Sequence, residues 1–381
     1  MSVGNNGDRV FGGALKPYRM AKGLVCYAAA MILTFFAGFP LQAAFGLWGL
    51  LYTELMILAV AIISLRVMKI RPGDALRYEA PRPGQIGGVV LMALSGYIIS
   101  TCVAYASYMI RPSRFNEIGS YAKVLQSAAP AVVWLAAVFA PAVCEEALYR
   151  GVILYLFAGK DAPANDSARD AWLIILINGA LFGLSHFDLS RFLPTFVAGA
   201  ILAYIALSSG NLALCVLYHT LHNAIGVSAW FSGAANDAAF SVKIGQASET
   251  LLELFGATLM LSAIAIHILR IGAALIQRKK PGERPLRGGE RGDAGQYSRP
   301  GRLIMSGESG KSGNPRELRN LRELGNLREL GNPREPGNPR EPGIHFGNLI
   351  VISLLMITTG IICLTVRGKP VSGIANLFAL W

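Results

Sequence analysis

The sequence predicts an all-α fold: a polytopic transmembrane helix bundle of eight to nine spans, with a disordered repeat linker before the last span. Three observations carry this. The chain of 381 residues is 53% hydrophobic and only 15% charged, whereas soluble domains carry about a quarter charged residues. Its mean hydropathy is +0.45. The apolar residues are also clustered, in runs of about twenty, the length a helix needs to cross the hydrocarbon core.

The candidate spans lie near 21–40, 46–66, 86–110, 127–144, 171–187, 192–208, 211–230, 250–277 and 347–366. The first, around "LVCYAAAMILTFFAGF", follows Arg9, Lys16, Arg19 and Lys22 and lacks a small-residue cleavage site ahead of a soluble domain. It reads as a retained helix rather than a signal peptide. The connection after the second span holds Arg66, Lys69, Arg71, Arg77 and Arg82 against Asp74 and Glu79. The connection after the eighth begins "RKK", while "PLQAAFG" after the first has no charge. Basic residues gather on the cytoplasmic side. The expectation is therefore an integral protein of the cell (plasma) membrane, its N-terminus and even-numbered exits cytoplasmic. The tail after the ninth span then falls outside, although Arg367 and Lys369 pull mildly the other way. The same rule accounts for the net charge of +12 without nucleic acid as a partner.

Cys26, Cys102, Cys144, Cys215 and Cys363 lie in or beside apolar runs, without metal-type spacing or a disulfide framework. They read as small packing residues.

Residues 278–346 differ from the rest. They hold 15 Lys/Arg and 9 Asp/Glu, so their net charge is 15 − 9 = +6, half of the chain's total. Inside lies a tandem hexapeptide, "NPRELR", "NLRELG", "NLRELG", "NPREPG", "NPREPG", with Asn at 314, 320, 326, 332 and 338. A period of six fits no helical face, and the units carry too few aliphatic residues for a β-helix core. A disordered cytoplasmic linker is expected.

Three short motifs bear the chemistry. The first is Glu145-Glu146-x-x-x-Arg150, in "CEEALYRG" at the end of the fourth span. On a helix Glu146 and Arg150 share a face and can pair. Glu145 points about 100° away. Arg150 neutralises one acid well but not both, so Glu145 keeps spare capacity and suits a general base or acid. A plain ion pair at a water-facing helix end is the bland alternative. The second motif is Phe182-x-x-x-His186, where the ring can pack on the imidazole and fix its direction, with Asp188 a second available partner. The third is His219-x-x-x-Asn223, two donors on one helical face, as oxyanion stabilisation requires. His222 competes with it, and polar glue between helices is its bland reading. Ionisable residues within spans are rare and mark sites by default. An acid, an imidazole and two oxyanion donors on consecutive spans are the parts for hydrolysing an amide with water. Glu54, mid-span in "LYTELMIL", either bonds another helix or lines a substrate path, and His267 reads as structural or interfacial.

The three motifs, complete and in this order, resemble the CAAX-protease and bacteriocin-processing family of intramembrane proteases (CPBP, abortive-infection-like), best known from the type II CAAX prenyl endopeptidases. The resemblance covers residues 125–230 and implies an intramembrane endopeptidase. It implies that Glu145 activates the hydrolytic water with His186, and that His219 and Asn223 stabilise the oxyanion. Glu146, Arg150 and Phe182 support them. Of cofactors, the expectation is none or zinc. Glu145, His186 and His219 are acceptable ligands with a fourth position for water, but no His-Glu-x-x-His pattern exists, and a metal-independent glutamate protease is preferred. The partners implied are the lipid bilayer and a membrane-anchored peptide or protein substrate, prenylated by analogy with the best-known members.

The resulting layout is 1–124 N-terminal transmembrane helices, 125–230 catalytic core, 231–277 an additional transmembrane helix, 278–346 the basic repeat linker, and 347–381 a last helix and tail. A non-catalytic scaffold or bacteriocin-immunity-type protein on the same fold is the main alternative. A proton-coupled transporter would need interrupted helices in two matching halves, and none is visible.

Overall fold

The computed structural model describes residues 17–111, 128–159, 168–231, 244–277 and 346–365. The hexapeptide repeats expected as a disordered linker lie outside the described residues. Every regular element among the described residues is helical. In chain order these are α1 (Pro17–Phe45), α2 (Leu47–Val67), α3 (Pro83–Ile110), α4 (Pro130–Ala158), α5 (Ala168–Leu184), α6 (Leu189–Ser209), α7 (Leu212–Phe231), α8 (Ile244–Ile276) and α9 (Phe346–Thr365). A single turn, Pro72–Ala75, lies between α2 and α3.

Among the described residues seven helices are long and apolar enough to cross a membrane, and the chain is an integral membrane protein. The two remaining expected spans are also helical, α5 over 17 residues and α9 over 20.

Backbones approach closely where glycine faces glycine or a carbonyl. A Cβ on Gly88 of α3 would lie 2.8 Å from the Gly272 carbonyl oxygen of α8, and one on Gly272 would lie 2.6 Å from the Gly88 oxygen. Gln85 then donates from α3 to the Ile276 carbonyl at 3.1 Å. On α5, Gly179 and Gly183 stand four apart and receive α6: their Cβ positions fall 3.0 Å from the Phe196 oxygen and 2.8 Å from the Phe192 oxygen. This is the small-xxx-small packing of membrane helices, where van der Waals contact replaces the hydrophobic drive. The α9 helix joins α8 in the same way, with Gly360 against the Gly256 carbonyl and Met260. His267 bonds Ser353 of α9 through Nε2 at 2.9 Å, an interhelical role.

The fourth helix differs most from expectation. Its span was expected to end at residue 144, leaving "CEEALYRG" at the membrane boundary, but α4 continues to Ala158 and encloses the motif. A hydropathy window counts a charged residue as a cost whatever its partner, whereas here the charges are answered inside the bundle. Two π-helical stretches, Leu135–Phe139 and Ala147–Ile153, widen the turns on either side of the Glu pair. Such i→i+5 segments concentrate at functional sites. The C-terminal half of α4 is the core itself. Leu148, Tyr149, Val152, Ile153 and Phe157 are fully buried against Cys26 and Ala30 of α1, Ile57, Ala61 and Leu65 of α2, and Phe182 of α5.

One end of the bundle is laced by the basic connections. Arg19 donates to the Tyr155 carbonyl at 2.9 Å, and Arg82 to the Gln277 carbonyl at 2.9 Å. Asn211, between α6 and α7, exchanges two bonds with the Glu79 backbone, donating to its oxygen at 2.9 Å and accepting from its nitrogen at 3.2 Å. The described cysteines Cys26, Cys102, Cys144 and Cys215 are buried free thiols, as packing residues would be.

Gly199 of α6 tests this packing. A Cβ there would sit 2.9 Å from Phe182 Cβ and 3.1 Å from Gly179 Cα, neither of which can swing away. Gly199→Val is expected to destabilise the detergent-solubilised protein by about 1–3 kcal/mol, read as a lower Tm. An unchanged Tm would mean that α5 and α6 do not meet this closely.

Candidate active site

Four helices deliver the polar residues to one interior point. The α4 helix supplies Glu145, Glu146 and Arg150, α5 ends in Phe182 and the His186 turn, α6 contributes the Gly199 carbonyl, and α7 supplies His219 and Asn223.

Glu146 is the centre. Its side chain and that of Arg150 have 0% exposure each, and Arg150 Nη1 donates to Glu146 Oε1 at 2.8 Å. The same oxygen accepts from His219 Nδ1 at 2.9 Å. Arg150 Nη2 donates to the Gly199 carbonyl at 2.9 Å, and its guanidinium lies 4.4 Å from the Phe182 ring centroid. A guanidinium on an aromatic face, desolvated, gains about 2 kcal/mol. Burying the ion pair is tolerable because hydrogen bonds and a π face replace much of the lost water.

Holding Nδ1 on a carboxylate fixes His219. A carboxylate only accepts, so Nδ1 carries a proton and Nε2 points the other way. There it meets Glu145 Oε2 at 3.9 Å, with side-chain exposures of 8% and 14% for the two residues. This is too long for a direct hydrogen bond. It leaves room for a small group touching both. The two acids thus have separate placements: Glu146 is locked behind the imidazole, and Glu145 stands in front of it, partly open.

Phe182 binds the cluster together. Its ring meets His186 edge-on at 5.3 Å and His219 at 5.8 Å, while Tyr149 packs on it at 5.2 Å. His186 lies just beyond the end of α5, two residues past Leu184, where the expected span would have included it. Its Nδ1 sits 3.0 Å from the Phe182 carbonyl oxygen. A carbonyl only accepts, so Nδ1 is the donor and Nε2 is left free to accept. The turn is completed by Phe187 with φ of 52°, a left-handed conformation costly for a bulky residue. Asp188 caps α6, accepting from the Ser190 backbone at 2.9 Å and from its hydroxyl at 2.7 Å. His186 is also within electrostatic reach of His219.

Asn223 is half-buried one turn along α7 from His219. His222 goes elsewhere, stacking on Tyr218 at 5.8 Å and meeting Tyr97 edge-on at 5.3 Å.

Three features escaped sequence reading. The Gly199 carbonyl as Arg150's second acceptor leaves no side-chain signal. The second contact of Glu146, to His219, joins residues on different helices. Asn178, which donates to the Tyr149 carbonyl at 3.0 Å beside the π-helical turn, was visible as a polar residue in an apolar run. Glu54 also proves buried, 4% exposed, with Oε2 lacking a hydrogen-bond partner among the described residues.

The donor set does not fit a zinc ion as placed. Among the described residues no three His, Cys, Asp or Glu side chains converge to hold a metal. His219 Nδ1 and His186 Nδ1 are committed to Glu146 and to a carbonyl.

The energetic claim is open to test. Arg150→Leu strands the Glu146 charge and is expected to cost about 3–5 kcal/mol, seen as a large fall in Tm and in membrane yield. Glu146→Gln combined with Arg150→Leu should recover part of that loss. If the double variant is as unstable as the sum of the singles, the pair is not coupled.

The curated proteins and the solved structures contain no match to the chain. Residues 127–225, the stretch that carries all three motifs, match the family model of the Rce1-like type II CAAX prenyl endopeptidases.

Proposed function

We propose that this protein is an intramembrane endopeptidase of CAAX type that hydrolyses a peptide bond of a membrane-anchored substrate near the membrane surface. The observation that supports this most is the facing of Glu145 and His219 across 3.9 Å, with His219 anchored from behind by Glu146. A water about 2.8 Å from each group fits that gap at its apex.

Glu145 takes a proton from this water as its oxygen attacks the substrate carbonyl, and the new C–O bond places negative charge on the carbonyl oxygen. His186, with Nε2 free to accept, orients the water. His219, held at Nδ1 by Glu146, presents Nε2 as the donor to the oxyanion, and the Asn223 amide donates beside it. Preorganised donors of this kind act without reorganisation. As the C–N bond breaks, protonated Glu145 returns its proton to the leaving amine. Arg150 and Phe182 keep Glu146 and the two imidazoles in register.

The protein acts in the cell membrane with its basic connections in the cytoplasm. A prenylated C-terminal peptide is the substrate by family likeness, and other membrane-anchored peptides present the same bond. The chemistry needs no metal.

Glu145→Gln is expected to lower cleavage of a membrane-anchored reporter by about 10²–10⁴-fold, with normal accumulation in the membrane. Asn223→Ala is expected to lower kcat by about 10²–10³-fold. Cleavage indifferent to Glu145→Gln would instead support a non-catalytic scaffold or immunity-type protein on the same fold. Dialysis against a chelator should leave the rate within about twofold, since losing a catalytic zinc would remove the activated water altogether. A chelator-sensitive rate restored by zinc would overturn the metal-free mechanism.

A further inference from the structure

The turn that carries His186 is held from outside the site. Helices commonly end on a left-handed residue, and that residue is usually glycine, sometimes asparagine. Here it is Phe187, with φ of 52°. A bulky side chain in this conformation is strained and persists only where its surroundings hold it. The backbone holds it weakly. His186 N–H reaches the Gly183 carbonyl at 3.4 Å and Phe187 N–H the Leu184 carbonyl at 3.2 Å, at or beyond the usual limit for such bonds. What phenylalanine adds over glycine is a ring.

That ring meets two rings of α1. Its centroid lies 5.2 Å from Phe39, edge-on at 74°, and 6.1 Å from Phe35, tilted at 42°. Phe35 and Phe39 are themselves 6.0 Å apart, so the three rings close a triangle. Such separations lie in the attractive range for aromatic pairs. All three rings are exposed on the outer face of the bundle, so the triangle does not serve to fill the core. Its α1 side is fixed in turn. The π-helical stretch Thr34–Gly38 contains Phe35 and runs into Phe39. A Cβ on Gly38 would lie 2.9 Å from Thr53 Cγ2 of α2. Gln42 donates to Thr53 Oγ1 at 3.1 Å, and Thr53 donates to the Gly49 carbonyl at 2.9 Å. The two α1 rings thus stand on a frame built with α2, independent of α5. Inside the bundle, the Phe182 ring and carbonyl contact the His186 imidazole. The triangle holds the backbone from which that imidazole projects.

We infer that Phe35 and Phe39 act through Phe187 as positioning residues for His186: the aromatic triangle holds the left-handed turn, and the turn aims the imidazole. The inference rests on the reading of His186 as the residue that orients the attacking water.

The experiment uses the full-length protein in lipid nanodiscs and two readouts. Phe39→Ala removes one corner of the triangle at an exposed position. In cleavage assays it should lower kcat by about 10–10²-fold, the scale of a misplacement of about 1 Å. KM should stay within about twofold, because the lost alignment acts in the transition state and not in substrate binding. Phe39→Tyr, which keeps the ring, should retain most of kcat. Phe36 is equally lipid-facing and meets Phe35 at 5.2 Å, and Phe36→Ala should leave kcat unchanged. Nitrogen-15 spectra of the histidine side chains, with His186→Gln identifying the His186 signals, give the second readout. Those signals should form one sharp set in the wild type and become broadened or doubled in Phe39→Ala. Phe35→Ala serves if Phe39→Ala does not accumulate. A raised KM at unchanged kcat would overturn the inference, since the rings would then touch substrate instead of aiming His186. Unchanged His186 signals, or an equal loss of kcat in Phe36→Ala, would overturn it as well. The spectra do not depend on cleavage. A protein that cleaves nothing yet shows the disturbed His186 signals would refute the protease reading and leave the triangle's hold on His186 standing.

Discussion

The arrangement depends on a carboxylate with no exposed surface. Glu146 takes a hydrogen bond from a guanidinium and another from an imidazole on a single oxygen. An ionised carboxylate in such surroundings carries a desolvation penalty of several kcal/mol, and α4 alone cannot offset it. Arg150 comes from the same helix, but its second donor needs a carbonyl, which α6 offers at Gly199. The guanidinium face needs a cover, and Phe182 of α5 lies on it. The same oxygen of Glu146 takes a second bond from His219 of α7, while its Oε2 has no hydrogen-bond partner among the described residues. Three neighbouring helices are thus drawn to α4 by the needs of one buried ion. The facing of the second acid is a by-product: whatever locks His219 onto Glu146 also aims its other nitrogen at Glu145.

That demand sets the packing around it. For Gly199 to offer its carbonyl, α6 must approach α5 at backbone distance, and Gly179, Gly183 and Gly199 remove the side chains that would prevent it. The π-helical turn over Ala147–Ile153 keeps α4 helical through the stretch where Arg150 reaches across to α6. Site residues held on helices rather than loops are located more rigidly. The exception is His186, fixed instead by its bond to the Phe182 carbonyl and by the left-handed Phe187 that ends α5.

Part of this was legible in the sequence. The membrane bundle follows from apolar runs, because an all-helical span is what lipid permits. The Glu146–Arg150 contact follows from a spacing of four on a helix. Legibility failed where the physics is between helices. The fourth span seemed to end at Cys144 because Glu145, Glu146 and Arg150 look costly one at a time. Only with their partners in place does α4 continue to Ala158. The fifth span was expected three residues too far along for the reverse reason: His186 and Phe187 sit beside apolar residues, but α5 ends at Leu184 and Phe187 turns the chain. Burial was unreadable as well, since Phe36 is 74% exposed while Glu146 is 0% exposed. In a bilayer the outward face is apolar and the interior holds the ions, so hydrophobicity no longer marks the inside.

Counting charges sharpens the separation of roles among the acids. The neighbourhood contains three carboxyls, Glu54, Glu145 and Glu146, and one permanent cation paired among them, Arg150. Arg150 is spent on Glu146, to which it is bonded at 2.8 Å. The ion-pair contact of Glu145 is with the imidazole of His219, 3.9 Å away, and that charge is conditional on a proton. Glu54 has neither. Order of access to cations therefore ranks the three: Glu146 is bonded to Arg150 and His219, Glu145 faces His219 across 3.9 Å, and Glu54 has no ion pair among the described residues. The proposed hydrolysis places its proton transfer on the middle member. A carboxylate bonded as firmly as Glu146 would have to give up its partners to act as a base. Glu145 is weakly paired, slightly open and faced by an oriented imidazole, which is the setting a group that exchanges a proton with water requires.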